Sequence, residues 1–374
     1  MKIDIVLILF VLNFFCSYSQ TPLNDPHWQE VWRDDFNVLD SDPQNPLSKW
    51  IVKNNFDDNN KNQAVYIDDN VECVNGNLVI TTKIEQYSCD PLYVEPNWFC
   101  VRQYETGNPY SFTSGWIESR QPYNIQFGYI EARINMPYNH LLWPSFWTFL
   151  GDGVTNNTNG AEIDIIELRG SDPNDRITTN VHYAYCGSGT PQNECNELQA
   201  FNDNYAYKEI KPDNFSYANQ WHKYAVEWSP SKIIWYIDDI PVRKFDMANN
   251  VDPITGQPVY PIDPIRLILA VGVSLDQNMI IRDFTAFPKQ MLVDYVAVYE
   301  LQNDCSNTVQ LCDYWFPYWD NKVKNEIFIG NGTCYNFILS GQDVNLRASE
   351  GITISGDFYI EQGADVYMDV NNCY

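Results

Sequence analysis

Gly160–Gly170 reads GAEIDIIELRG, and the fold turns on how those eleven residues run. Ile163, Ile165 and Ile166 are strand formers interleaved with the acids Glu162, Asp164 and Glu167. Side chains alternate faces along a strand, so Glu162 and Asp164 share one face. Glu167 comes three residues after Asp164, and an unbroken strand would turn it to the opposite face. One inserted residue, a β-bulge at the Ile165–Ile166 doublet, returns it to the side of the other two. Three carboxylates then crowd one face, where like charges cannot all ionise freely. The competing reading is an exposed acidic strand edge with the isoleucines packed behind it.

Working outward, the same strand texture dominates. NLVITT (Asn77–Thr82), GYIEARIN (Gly128–Asn135), YAVEW (Tyr224–Trp228), IIWYI (Ile233–Ile237) and LVDYVAVY (Leu292–Tyr299) are β-branched and aromatic, bounded by Gly, Pro, Asn or Asp. No stretch sustains a helical period. Many short strands separated by turn signals predict an all-β sandwich. Long loops rich in Asn and aromatics, such as Tyr87–Tyr110 and Tyr183–Tyr207, are expected to bind ligand or to be stapled by disulfides. The texture changes near residue 303. Val344 and Leu346 recur as Phe358 and Ile360, and Ile352 and Ile354 as Val366 and Met368, a spacing of fourteen. Gly351, Gly356 and Gly363 mark turns, which predicts a small β-repeat module or, equally, a β-meander. The expected division is residues 1–19 as signal peptide, 20–302 as the main domain and 303–374 as the C-terminal module.

Composition bounds the function. The 374 residues hold 49 Asp and Glu against 23 Lys and Arg, a net charge of −26. Such a surface repels phosphate backbones and anionic membranes, so nucleic acid is not an expected partner and a neutral polymer suits it better. Lys2, the apolar run Ile5–Phe15 and the small residues Ser17 and Ser19 form an export signal with cleavage near Ser19 and Gln20. The run is too short to span a bilayer. A lipidated Cys16 is the weaker alternative, because bulky Phe15 precedes it. The expected location is therefore secreted or cell-surface, as a monomer. In an exported chain the cysteines are expected as disulfides, paired by proximity: Cys89 with Cys100, Cys186 with Cys195, Cys305 with Cys312 and Cys334 with Cys373, leaving Cys73 over.

The acid triplet has a chemical use. Hydrolysis of a glycosidic bond with retention needs one ionised carboxylate as nucleophile and one protonated carboxyl as acid and then base, about 5–5.5 Å apart. A third acid between them can set which group holds the proton. At this point the chain resembles glycoside hydrolase family 16, the laminarinase-like enzymes with the one-residue bulge. Several segments match in family order: WRDDF (Trp32–Phe36), NGNLVI (Asn75–Ile80), FTSGWIESR (Phe112–Arg120), FGYIEARINMP (Phe127–Pro137), LWPSFW (Leu142–Trp147), WHKYAVEW (Trp221–Trp228) and VDYVAVY (Val293–Tyr299).

The resemblance implies a concanavalin-like β-jelly-roll sandwich that holds polysaccharide in a cleft. It implies Glu162 as nucleophile, Glu167 as acid/base, Asp164 as auxiliary acid, and His182 of the NVH segment beside them. Trp143 and Trp147 share a face and are the best sugar platforms, with Trp116 and Trp98 as weaker ones. The chemistry requires no cofactor. A structural calcium is implied at Asp35 and Asp294, for which a strand acid capped by backbone is the alternative. The leading function is endo-hydrolysis of β-1,3- or mixed β-1,3/1,4-glucan. Departures from the pattern leave linkage open: Trp116 stands where laminarinase-like members commonly carry Arg, Asn156–Ala161 replaces their Trp-Pro segment, and AVGV (Ala270–Val273) replaces AVGG. The alternatives are an endo-galactanase on agar, porphyran or carrageenan, and a non-catalytic glucan-binding protein. Trp315, Phe316, Tyr318 and Trp319 form a further candidate sugar platform or domain junction.

Overall fold

The computed structural model describes residues 23, 28–57, 64–89, 109–120, 125–150, 161–169, 177–183, 217–229, 232–246, 264–274, 286–301, 304–314, 316, 319–330 and 334–370. The strands are β1 (Trp28–Asp34), β2 (Trp50–Val52), β3 (Ala64–Tyr66), β4 (Val71–Val74), β5 (Asn77–Tyr87), β6 (Tyr110–Ser114), β7 (Trp116–Ser119) and β8 (Gly128–Asn135). There follow β9 (Leu142–Leu150), β10 (Ala161–Leu168), β11 (Ile177–Tyr183), β12 (Trp221–Trp228), β13 (Lys232–Ile237), β14 (Ile240–Asp246), β15 (Ile265–Val273) and β16 (Lys289–Leu301). The C-terminal part adds β17 (Asp304–Leu311), β18 (Trp319–Ile329), β19 (Tyr335–Ile338), β20 (Asp343–Ile354), β21 (Asp357–Ile360) and β22 (Asp365–Val370). Among the described residues no helix is long and apolar enough to cross a membrane. The signal segment, residues 1–19, lies outside the described residues.

Two sheets form the sandwich. One is ten-stranded, ordered β14-β13-β12-β8-β16-β5-β6-β3, with β1 also on β16 and β4 also on β5. The other is six-stranded, ordered β11-β10-β9-β15-β7-β2. Every strand read from the sequence lies within one of these elements. The period-two pattern gives the reason. Ile130, Ile134, Tyr224, Trp228 and Trp235 from the larger sheet meet Phe146, Ile163, Ile165, Ile166, Leu267 and Leu269 from the smaller in one core. Burial of each such side chain stabilises by about 1.5–3 kcal/mol. Asp34 ties the opening strand to this core, accepting from Trp50 Nε1 at 2.7 Å and from the Phe36 amide at 3.1 Å.

The C-terminal part has its own core of Leu311, Ile327, Ile329, Ile338, Val344, Leu346 and Ala348. Its strands pair in parallel, in the order β17-β18-β20-β22, with β19 on β21 beside them. Parallel neighbours cannot be a meander, which is antiparallel. The expected spacing of fourteen does not relate the paired residues. Val344 lies on Val366, Leu346 on Met368 and Phe337 on Tyr359, an offset of twenty-two. One coil therefore contains two of the short apolar runs, and like residues stack on like. Phe337 and Tyr359 stack with centroids 5.4 Å apart and rings inclined by 13°.

The disulfide expectation needs correction. Cys312 is bonded to Cys334, so neither Cys305–Cys312 nor Cys334–Cys373 forms. The chain's return after one coil causes this: Tyr335 donates to Asp313 and Tyr314 to Asn336, contacts twenty-two residues apart that bring Cys334 beside Cys312. Cys89 is disulfide-bonded, while Cys100, Cys186, Cys195 and Cys373 lie outside the described residues. Phe316 is buried in the C-terminal core and offers no sugar platform. Trp315 and Tyr318, expected beside it, lie outside the described residues, as does the Trp319 side chain. Cys73 is a free thiol. Peptide mapping of the unreduced protein should recover a Cys312–Cys334 cross-link and an alkylatable Cys73. A Cys305–Cys312 peptide would contradict the stacking described here.

Candidate active site

The bulge is present. On the β9 side Asp164 pairs with Trp147 and Ile166 with Phe146, so β10 has one residue more than its partner over this step. On the β11 side Asp164 pairs with Asn180 and Glu167 with Thr178, again with one residue extra. Ile163, Ile165, Ile166 and Leu168 all point into the core. Glu162, Asp164 and Glu167 therefore face away from it, opposite His182, Asn180 and Thr178 of β11. Asp164 and Glu167 are nevertheless buried, at 2 % and 7 % exposure, and Glu162 is half-buried.

Glu167 is the most elaborated group. Trp143 Nε1 donates to its Oε1 at 2.7 Å, and Thr178 Oγ1 donates to its Oε2 at 3.1 Å. Arg169 reaches Oε2 at 3.4 Å while its guanidinium lies over the Trp143 ring, 4.3 Å from the centroid. Burial pushes the Glu167 carboxyl up to about 7, and the neighbouring Asp164 carboxylate adds to the rise. Arg169 and the two hydrogen bonds oppose the shift without cancelling it. The result is a carboxyl that keeps its proton near neutrality, held by donors that would also stabilise its anion.

The other expected residues divide. Trp143 is at the site, where it donates to Glu167. Trp147 is half-buried beside Asp164 and meets Trp116 edge-on at 5.3 Å and Phe149 at 6.1 Å. Trp116 is 6 % exposed, enclosed by Tyr66, Phe56 and Trp147 in an aromatic cluster on the site's side of the sheet. His182 pairs with Glu162 along the backbone, but its side chain lies outside the described residues, as do Trp98 and residues 151–160. Asp35 faces Arg33 at 2.7 Å and Asp294 faces Arg133 at 2.8 Å. A calcium at that pair would have to displace a guanidinium from each acid. Sequence reasoning missed Arg169 and Thr178. Arg169, two residues beyond Glu167 and just past the end of β10, could have been found by its spacing, but Thr178 is visible only through pairing.

A half-buried and two buried carboxyls on one bulged strand of a β-sandwich define the layout of a two-carboxylate glycosidase. The family model for glycosyl hydrolases family 16 matches residues 53–278, and the chain belongs to that family. It is 30% identical over 202 residues to an endo-1,3-1,4-beta-glycanase, EglC, of Rhizobium meliloti, covering 54% of this chain and 36% of that protein. It is 27% identical to a beta-glucanase of Rhodothermus marinus over 76% of this chain and 90% of that one. The match spans only about a third of the length of the two Rhizobium meliloti relatives, 36% and 35%. Among solved structures, the catalytic domain of an endo-1,3-beta-glucanase (laminarinase) from Thermotoga petrophila superposes with a TM-score of 0.53 at 24% identity, covering 74% of this chain and 99% of that one. The likeness establishes the sandwich fold.

A carboxyl whose folded value, about 7, exceeds its ordinary 4.5 favours the folded state below 4.5, and that advantage is lost as pH rises through 7. Glu167→Gln keeps an acceptor for Trp143 and never ionises. Urea unfolding should find this variant more stable than the wild type at pH 8, on the order of 1–3 kcal/mol, with little difference at pH 4. Equal stability at pH 8 would show that Glu167 ionises without penalty.

Proposed function

We propose that this chain is a secreted retaining endo-glycosidase acting on β-1,3- or mixed β-1,3/1,4-glucan. The observation that carries the reading is the buried Glu167 carboxyl, protonated up to about pH 7 and brought by the bulge to the face of Glu162 and Asp164. In the first step the Glu162 carboxylate attacks the anomeric carbon and the bond to the leaving oxygen breaks. Glu167 gives that oxygen its proton. The Trp143 and Thr178 hydrogen bonds and the Arg169 charge then stabilise the Glu167 carboxylate left behind. In the second step that carboxylate takes a proton from water, which attacks the glycosyl–Glu162 ester and releases the sugar with its configuration retained. Asp164 keeps the proton on Glu167 between turnovers.

Substrate choice is supported by relatives named an endo-1,3-1,4-beta-glycanase, a beta-glucanase and a glucan endo-1,3-beta-glucosidase. One observation favours the galactanase alternative: Trp116 and its cluster put an apolar wall where laminarinase-like members carry a cationic donor. Residues 20–302 are assigned the catalysis and residues 303–374 an accessory role, supported by the separate cores.

Reducing-end release from laminarin, lichenan, agarose and carrageenan tests the substrate, and product only from agarose or carrageenan would overturn the glucan assignment. Binding of laminarin with no product after long incubation would instead identify a recognition protein. On the active polymer, Glu162→Gln and Glu167→Gln should each lower turnover about 10²–10⁴-fold while remaining folded by circular dichroism. The wild-type rate should fall as pH rises through about 7, where Glu167 loses its proton. Wild-type-like turnover in either variant would remove that residue from the chemistry.

A further inference from the structure

The bulge that serves the site has a cost at its back. An inserted residue disrupts the ladder locally. Asp164 is the last residue paired before the shift, and its backbone oxygen accepts a hydrogen bond from Trp235 Nε1 at 2.9 Å. Trp235 belongs to β13 of the opposite sheet, so this bond crosses the core. The indole is 1 % exposed. Its ring is held in turn by Arg243 of β14, whose guanidinium lies 4.8 Å from the Trp235 centroid. The same guanidinium donates to the Thr179 backbone oxygen and, at 3.0 Å, to the Thr179 hydroxyl. Thr179 adjoins Thr178, the residue that donates to Glu167. The larger sheet thus grips both β10 and β11 from behind, at the step where Glu167 is swung round.

We propose that Trp235 is a positioning residue: its indole N–H fixes the Asp164 carbonyl and with it the bulge that sets Glu167 beside Asp164 and Glu162. It touches no substrate and acts through the backbone. A tryptophan serving only to fill the core would be replaced without effect on Glu167 by any side chain of similar shape. One lacking the N–H loosens the bulge, moves Glu167 away from Asp164 and lets water reach it. Glu162 and Asp164 on its own strand and Arg169 just past the strand's end are the described charged groups around Glu167. β9 and β11 bring the neutral donors Trp143 and Thr178.

The inference rests on the assignment of Glu162 and Glu167 above, so one readout is independent of substrate. In the full chain labelled with δ-¹³C glutamate, the Glu167 carboxyl is followed by NMR against pH, its signal identified by its loss in Glu167→Gln. Trp235→Phe should lower the Glu167 midpoint by about one unit. On laminarin the same variant should lose about tenfold in kcat with KM within about twofold, its high-pH limb moving down in parallel. Benzothienylalanine at position 235, which keeps the ring shape and lacks the N–H, should reproduce both effects even where phenylalanine impairs folding. Ile237→Val, a core truncation on the same strand, should lose stability and move neither readout. An unchanged Glu167 titration in both Trp235 replacements would overturn the proposal, as would an equal shift in Ile237→Val. A titration that moves in a protein inactive on every polymer would leave the positioning role standing and refute the glucanase assignment instead.

Discussion

Parity along β10 is the constraint on which everything else depends. A strand alternates its faces every residue, so acids at positions 162, 164 and 167 cannot share a side unless the backbone gains one residue between the second and the third. The gain at Ile165 is paid for by the core: Ile163, Ile165, Ile166 and Leu168 all bury, and the Asp164 carbonyl accepts from the Trp235 indole. Without both compensations the strand would relax to a regular pleat and Glu167 would turn into an apolar interior, where an ionised carboxylate is not tolerated.

Placing the acids together generates the electrostatics. Asp164 is nearly sealed from water and lies one bulge away from Glu167. Burial makes the Glu167 proton hard to remove, and the Asp164 charge makes it harder. The surrounding donors act in the opposite sense, and the balance leaves Glu167 titrating near neutrality. A stronger positive environment would strip the proton early, and a fully apolar one would never release it. Trp143 serves this balance through its N–H and couples it to Arg169 through its ring. The site thereby spends stability that a neutral side chain at 167 would retain.

The C-terminal stack follows a different rule. Its strands are parallel, so each strand lies on a strand one coil away, with paired residues 24 or 25 apart on β18–β20 and 22 apart on β20–β22. A search for recurring apolar pairs finds the fourteen-residue echo between strands of different coil sides, because every strand has the same inward alternation. These coil-length registers are invisible until the coils close. The chain's return after one coil also selects Cys312–Cys334 over the pairings suggested by nearness along the chain. Proximity in sequence fails as a guide wherever long-range parallel pairing sets the neighbours.

The sequence by itself determined the strands, the sandwich and the acid triplet, which follow from side-chain period and chain-local chemistry; period leaves the bulge at Ile165–Ile166 and an exposed acidic edge both open, and the family resemblance selects the bulge. It also marked Trp143 and Trp147 as sharing a face, by their spacing of four. Only the tertiary structure decided what surrounds the acids. Thr178 comes from the neighbouring strand, Trp235 from the opposite sheet and Arg243 from the strand beside that, each meeting β10 or β11 across 11 to 71 residues of chain. It likewise decided that Trp116 is walled in by Phe56 and Tyr66 rather than open to solvent. The physical reason is common to these cases: a pattern along the chain fixes which face a side chain takes, whereas its partners, and hence its charge state and accessibility, are set by the distant strands that fold against that face.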